Sequence, residues 1–137
     1  MPLGNVLGEF TYTASSVKLT DLGGGRIRAE LDLSGEATGQ VSGKLLGTLI
    51  IEGSGPGRPS TYTGTGLLFG ASGSVVRFST CGVGIRTGEE HKARFRGTVS
   101  YATEDPQLVA FNSMIAATEF ETDPITNTVK GAVCEWK

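Results

Sequence analysis

A chain of 137 residues, 38% hydrophobic and 19% charged, is long enough to bury one core and too apolar to stay disordered. Its formal net charge of −2 provides no field to draw in nucleic acid or an acidic membrane surface. No run approaches the ~18 apolar residues that span a bilayer, and the opening residues lack the basic head and apolar core of a secretory signal, so the expected compartment is cytoplasmic. Cys81 and Cys134 are then expected to be reduced, although spacing alone leaves a disulfide open.

Residues 6–13 read as a strand, and 15–20 either pair with it or continue it across a bend. Asp21-Leu22-Gly23-Gly24-Gly25 is a turn, because consecutive glycines accept the positive φ that tight turns need. Residues 26–33 alternate cleanly: Ile27, Ala29, Leu31 and Leu33 fall on one face, Arg26, Arg28, Glu30 and Asp32 on the other, as a half-buried antiparallel strand requires. Residues 34–40 are Gly- and Thr-rich and read as a turn leading into the next strand. Residues 44–52 form that strand. The stretch 53–60, rich in Gly, Ser and Pro, is the longest loop and is expected at a barrel mouth.

Strand character resumes over 62–69 and, after a Gly-rich turn, over 75–85. Residues 86–91 read as a polar turn. Residues 92–101 alternate Ala93, Phe95, Gly97, Val99 and Tyr101 against Lys92, Arg94, Arg96, Thr98 and Ser100; the basic set reads as a solvated strand face rather than a phosphate track. The single helix signal follows, with Asp105 as cap, Pro106 at the first helical position, Leu108 and Phe111 on one face and Asn112 at the end. Its expected role is to plug one end of a barrel. Residues 114–121 and 129–136 are the last strands, joined by a turn at Asp123-Pro124.

About eight short-connected strands with no helix alternating between them indicate an all-β, antiparallel chain. Of the 21 glycines, many sit inside strands: Gly47, Gly64, Gly66, Gly82, Gly84, Gly97 and Gly131. Strand glycines mark bends and close backbone approach, which favours a closed β-barrel over a sandwich. A small barrel is either filled by its own side chains or holds one small ligand.

Charged residues on otherwise apolar faces are the candidate catalytic groups. Arg77 shares its parity with Val75, Ser79, Cys81, Val83 and Ile85, against Val76, Phe78 and Thr80. Glu119 shares a face with Ile115 and Ala117, and Glu135 with Val129 and Val133. If these faces point inward, Arg77 pairs with Glu119 or Glu135, the guanidinium stabilises developing negative charge, and a carboxylate relays a proton. The alternative is that the opposite parity is inward and these charges face water. Tyr62, Phe78, Phe95 and Tyr101 are the candidate ligand-contacting residues, the tyrosines offering a hydroxyl to a cavity or leaving it at the rim. Glu89, Glu90 and His91 lack the second His or Cys that a metal site needs, so neither a metal nor a cofactor is expected. Gly82-Val83-Gly84 opens no helix and is not a phosphate loop, and no nucleophile elbow occurs.

Four stretches carry a family resemblance: Gly43 to Leu49, Tyr62 to Gly66, Phe95 to Tyr101, and Asp105 to Asn112 followed by strand, Asp123-Pro124 turn and strand. Over residues 40–136 the chain resembles small bacterial β-barrel proteins of the allene oxide cyclase-like and calycin-like type. The resemblance implies an antiparallel barrel with an apolar cavity, in a dimer or trimer. It also implies small hydrophobic ligands and, in enzymatic members, cyclase or isomerase chemistry that holds a reactive substrate in a productive fold. No residue matches a known catalytic position, so activity is carried by analogy alone.

Three functions remain in competition: a cofactor-free cyclase or isomerase, a carrier of a small hydrophobic ligand, and a solidly packed oligomeric barrel. The expected inward set mixes Ala29, Ala93, Gly97, Ala117 and Gly131 with Leu31 and Phe95. So many small residues leave volume inside, which favours a cavity.

Overall fold

The structure, a computed structural model, describes residues 3–40, 42–53, 58–70, 73–87 and 91–136. Eight strands close into one antiparallel barrel in simple chain order: β1 (Leu3–Gly23), β2 (Arg26–Gly39), β3 (Gly43–Gly53), β4 (Ser60–Gly70), β5 (Val75–Arg86), β6 (Ala93–Thr103), β7 (Ile115–Asp123) and β8 (Thr128–Trp136). Closure is made by β8 pairing back on β1, from Leu3↔Trp136 to Thr13↔Thr128. The expected closed barrel is therefore the observed one. Parts of the anticipated turns (54–57, 71–72 and 88–90) lie outside the described residues.

At the strand level one open alternative is decided and one expectation changes. Residues 6–13 and 15–20 belong to one strand, bent by a register shift between Ala14 and Ser16. One extra residue there lets the strand keep its apolar side chains on one face through the bend. Residues 34–39 are not a turn but the second half of β2, paired with β1 from Ser34↔Thr13 to Gly39↔Gly8. Ser34, Glu36 and Thr38 sit on the solvent side of a curved wall, which gives this half of the strand a turn-like composition.

The first two strands are longer than the barrel is tall. β1 has no partner on its β8 side beyond Thr13 among the described residues, so residues 15–23 of β1, paired with β2 alone, form an open edge that runs past the closure, while β2 there is paired on to β3. Val17, Leu19 and Ile27 lie on the inner face of this extension, where nothing covers them fully; they are 48%, 69% and 53% exposed.

Because successive strands run in opposite directions, the connections sort to two ends. One end carries the β1–β2, β3–β4, β5–β6 and β7–β8 turns. The other carries the β2–β3 and β4–β5 turns and the long β6–β7 connection, whose 3-10 helix (Val109–Ser113) replaces the expected α-turn. Asp105 does not cap this helix. Its carboxylate accepts from the Gln107 N–H at 2.9 Å and its carbonyl from the Leu108 N–H at 3.0 Å, closing a separate turn ahead of it. The plugging role is kept: Asn112 clamps the helix to the end of β6, accepting from the Thr103 N–H at 2.7 Å and donating to the Thr103 carbonyl at 3.0 Å. Leu108 then packs on the core.

Inside the barrel, the strand glycines are matched to aromatic rings. A Cβ at Gly84 would collide with the ring of Phe95, one at Gly82 with Tyr62, one at Gly66 with Phe78, and one at Gly131 with Phe10 and Phe120. Large rings therefore lie flat across the bare backbone of the neighbouring strands, which lets a narrow barrel hold them. Tyr62, Phe95 and Phe120 form the densest part of this core. The Phe95 and Phe120 rings stack 5.1 Å apart at 14°, and Tyr62 meets both edge-on at 5.6 and 4.9 Å.

Candidate functional site

The aromatic stack does not fill the whole barrel. Between it and the 3-10 helix lies a cavity of about 120 Å³. Its walls are apolar, with Leu33, Leu45, Leu68, Val76, Val99 and Val129 from six strands, and Phe111 of the helix at its floor. Gly47 and Gly64 also line it. None of the small residues expected to leave this room, Ala29, Ala93, Gly97, Ala117 and Gly131, lines it: Ala117 faces outward, and Gly97 and Gly131 are covered by aromatic side chains. A cavity of this size matches those that hold a benzene-sized guest, about 150 Å³ in the engineered case, and is smaller than a drug-sized pocket.

Tyr12, Thr80, Tyr101 and Thr118 are among the polar residues that line the cavity. Thr80 hydrogen-bonds the Tyr62 hydroxyl at 3.0 Å. Thr118, a buried polar side chain of the core, is satisfied by donating to the Ala132 carbonyl at 3.0 Å. Tyr101 packs edge-on against Phe111 at 5.7 Å, tying the helical plug to the wall. Burial pushes the Tyr101 phenol up to about 12, and burial together with the neighbouring Tyr101 raises Tyr12 as well. Burial also raises Tyr62, against the opposing pull of its Thr80 hydrogen bond.

These shifts cover all three tyrosines of the chain and carry a pH consequence. An unfolded tyrosine releases its proton near pH 10, whereas the folded ones hold theirs. The folded state thus binds more protons above pH ~10. The stability these groups contribute is complete below that pH and is lost as the pH climbs towards 12. In an alkaline titration, phenolate absorbance is expected to rise only together with loss of the β-sheet circular dichroism signal. A normal titration near pH ~10 with the sheet intact would contradict this burial.

Of the expected site residues, Phe78 and Tyr101 line the cavity. Tyr62 and Phe95 face inward but sit in the aromatic stack above it; each is 2% exposed. The three charged candidates are not brought together. Along β5 the alternation is as expected, but the inner face is the other one: Val76, Phe78 and Thr80 point in, and Arg77 is exposed outside with Val75, Cys81, Val83 and Ile85. Glu119 is also outside, along with Ala117, and it pairs with Arg94 at 3.7 Å and Arg96 at 3.6 Å. An inward Arg77–Glu119 pair is therefore corrected.

The physical reason is bulk. The barrel must seat Phe78 and bring Gly82 and Gly84 under Tyr62 and Phe95, and a guanidinium left hydrated outside costs nothing in desolvation. Glu135 is the exception: it is half-buried on the inner face of β8, opposite Ala116 in the β7 pairing and two residues beyond Val133, a cavity residue. The basic run is a solvent-facing strand side, as expected, with Lys92 pairing to Glu121 at 3.9 Å. Tyr12 was missed by sequence reasoning, although its signal was present in the alternation of Phe10, Tyr12 and Ala14 along a strand given no clear inner face.

Cys81 and Cys134 are free thiols, on β5 and β8 with two strands between them. Among the described residues, no cluster of His, Cys, Asp and Glu could hold a metal ion, and no helix is long and apolar enough to cross a membrane.

No protein-family model and no curated protein matches the chain. Solved structures do. A β-barrel-like protein from Acinetobacter baumannii AYE superposes with a TM-score of 0.83 at 16% identity, covering 99% of this chain and 96% of its own. A protein with unknown function from Clostridium acetobutylicum ATCC 824 gives 0.82 at 14% identity, with 99% of both chains covered. An enzyme from Penicillium herquei gives 0.69 at 14% identity, covering 98% of this chain and 97% of its own. The likeness extends over whole chains, so the small single-barrel architecture is common to all of them. At such identities it carries the fold and nothing about chemistry.

Proposed function

We propose that this protein binds a small, predominantly apolar molecule inside its barrel, in the manner of the cavity-bearing allene oxide cyclase-like and calycin-like barrels it resembles. The observation that carries the reading is the apolar cavity between the aromatic stack and the helical plug. An unfilled apolar space of this size forfeits packing contacts, which an apolar guest of matching size would restore.

Benzene and xenon are suitable probes, followed by protein-observed NMR. Both are expected to shift the methyl signals of cavity residues such as Leu45, Leu68 and Val76. Val76→Phe, which fills the space, is expected to abolish the shifts, whereas Arg77→Ala next door on the outer face leaves them unchanged. Absence of both probes from the wild-type interior would sink the proposal.

The proposal extends to cofactor-free cyclase or isomerase chemistry, in which orientation of the guest supplies most of the effect and Glu135 relays a proton. Support comes from the inner-face position of Glu135 beside the cavity-lining part of β8. Deuterium from solvent should then appear in a cavity-bound unsaturated guest with wild type and not with Glu135→Gln. No incorporation into a guest that demonstrably binds leaves a carrier.

Self-association into a dimer or trimer belongs to the same reading. The extension of β1 over 15–23 offers an open strand edge beside the exposed apolar side chains of Val17, Leu19 and Ile27, features that another copy can cover. Sedimentation of Leu19→Lys should then show monomer where wild type shows an oligomer; a monomeric wild type removes this part.

A further inference from the structure

The cavity is apolar, but its polar groups are not all committed. Thr80 and Thr118 are engaged, by the Tyr62 hydroxyl and the Ala132 carbonyl. Tyr12 and Tyr101 are different. Both line the cavity and both are buried or half-buried. Neither hydroxyl has a hydrogen-bond partner among the described residues, whereas the Tyr62 hydroxyl is bonded to Thr80. Both residues line the same small cavity, Tyr12 from β1 and Tyr101 from β6.

A phenol O–H that reaches an apolar cavity without a protein acceptor is answered by whatever acceptor enters the space beside it. A pure hydrocarbon guest would leave both donors unanswered. A carboxylate or phosphate would answer them but would bring a full charge among Leu33, Leu45, Leu68 and Val76, and the nearest basic candidate by sequence, Arg77, points outside. What satisfies both constraints is an uncharged oxygen with two lone pairs on a compact hydrocarbon frame.

We infer that the cavity takes a neutral molecule bearing a single hydrogen-bond-accepting oxygen, of the ketone, aldehyde or ether class, with that oxygen held by the Tyr12 and Tyr101 hydroxyls and its hydrocarbon body against the leucine and valine wall. The inference rests on the cavity being a binding site, as proposed above, and adds the chemistry of the ligand and the residues that read it. Tyr12 and Tyr101 are specificity residues in this reading. They donate throughout the physiological pH range, because burial keeps both phenols protonated. The size of the space sets the guest near that of a six-membered ring with one exocyclic atom.

The test compares cyclohexanone with methylenecyclohexane, which has the same shape but a CH2 group where the ketone has oxygen. Each is titrated by NMR into wild type, Tyr12→Phe, Tyr101→Phe and the double variant. Removing one donor is expected to weaken the ketone about three- to tenfold, and removing both about tenfold or more, while the affinity for the hydrocarbon holds or improves. In wild type, the carbonyl 13C signal of bound cyclohexanone should move in the direction of hydrogen bonding; this readout remains should a variant fail to fold. Unchanged ketone affinity in the double variant, an equal loss for both probes, or a bound carbonyl signal like that in hydrocarbon solvent would overturn the inference while leaving the cavity a binding site. If neither probe enters wild type, the binding reading itself falls and this one with it.

Discussion

Replacing Gly97 by alanine is expected to destabilise the barrel by about 3 kcal/mol, at the upper end of what an inserted methyl group costs, and valine there is expected to prevent folding. Gly97 on β6 lies opposite Gly82 on β5, and the two bare positions make the seat for Tyr62. A Cβ at Gly97 would run into the Tyr62 hydroxyl and into the backbone carbonyl of Cys81. The first obstacle is the end of a side chain that could tilt. The second is strand backbone, held in the β5–β6 ladder on both sides of the pair, so it cannot withdraw without opening the wall.

With total stability of about 5–15 kcal/mol for a domain of this kind, the loss is a large share. Chemical denaturation reads it directly, and the double variant Gly97→Ala/Tyr62→Phe separates the causes. Partial recovery is expected, because only the side-chain half of the clash is relieved. Full recovery would identify the hydroxyl as the whole obstacle, and no loss in Gly97→Ala would show that the wall spreads freely at this point.

Phe95→Ala is expected to cost about 3–5 kcal/mol. Phe95 is 2% exposed, stacks on Phe120, meets Tyr62 edge-on and covers Gly84. Truncation removes the ring from water-free surroundings, ends two ring contacts worth about 0.5–1.5 kcal/mol each, and leaves a void over a glycine that has no side chain to collapse into it. The void would also adjoin the existing cavity through Phe120, which belongs to both the stack and the cavity wall. Binding of a guest larger than benzene is therefore expected to improve even as stability falls. Equilibrium unfolding and a guest-size series measure the two effects together. A loss below about 1 kcal/mol would mean that the stack is not what holds this half of the barrel.

Much of the architecture is legible in the chain itself. Alternation over 26–33 and 92–101, turn residues at Gly23-Gly24-Gly25 and Asp123-Pro124, and glycines within strands are local signals, because side-chain period and backbone freedom are properties of a residue and its immediate neighbours. They suffice for an antiparallel barrel and for a plug between the sixth and seventh strands.

The candidate site was legible only in its apolar members. Phe78 and Tyr101 line the cavity, whereas Arg77 and Glu119 stand on the outer wall. Period-two alternation sorts residues into two faces but does not say which face is inside when both carry apolar side chains, as Val75, Val83 and Ile85 do against Val76 and Phe78. That choice belongs to the tertiary structure. It is decided by volume, since the interior must accept Tyr62, Phe78, Phe95 and Phe120, and can do so only where glycines of adjacent strands lie beneath the rings. The pairing of ring to glycine joins residues tens of positions apart. That Tyr12 from the first strand and Tyr101 from the sixth line one cavity is likewise set only when the barrel closes.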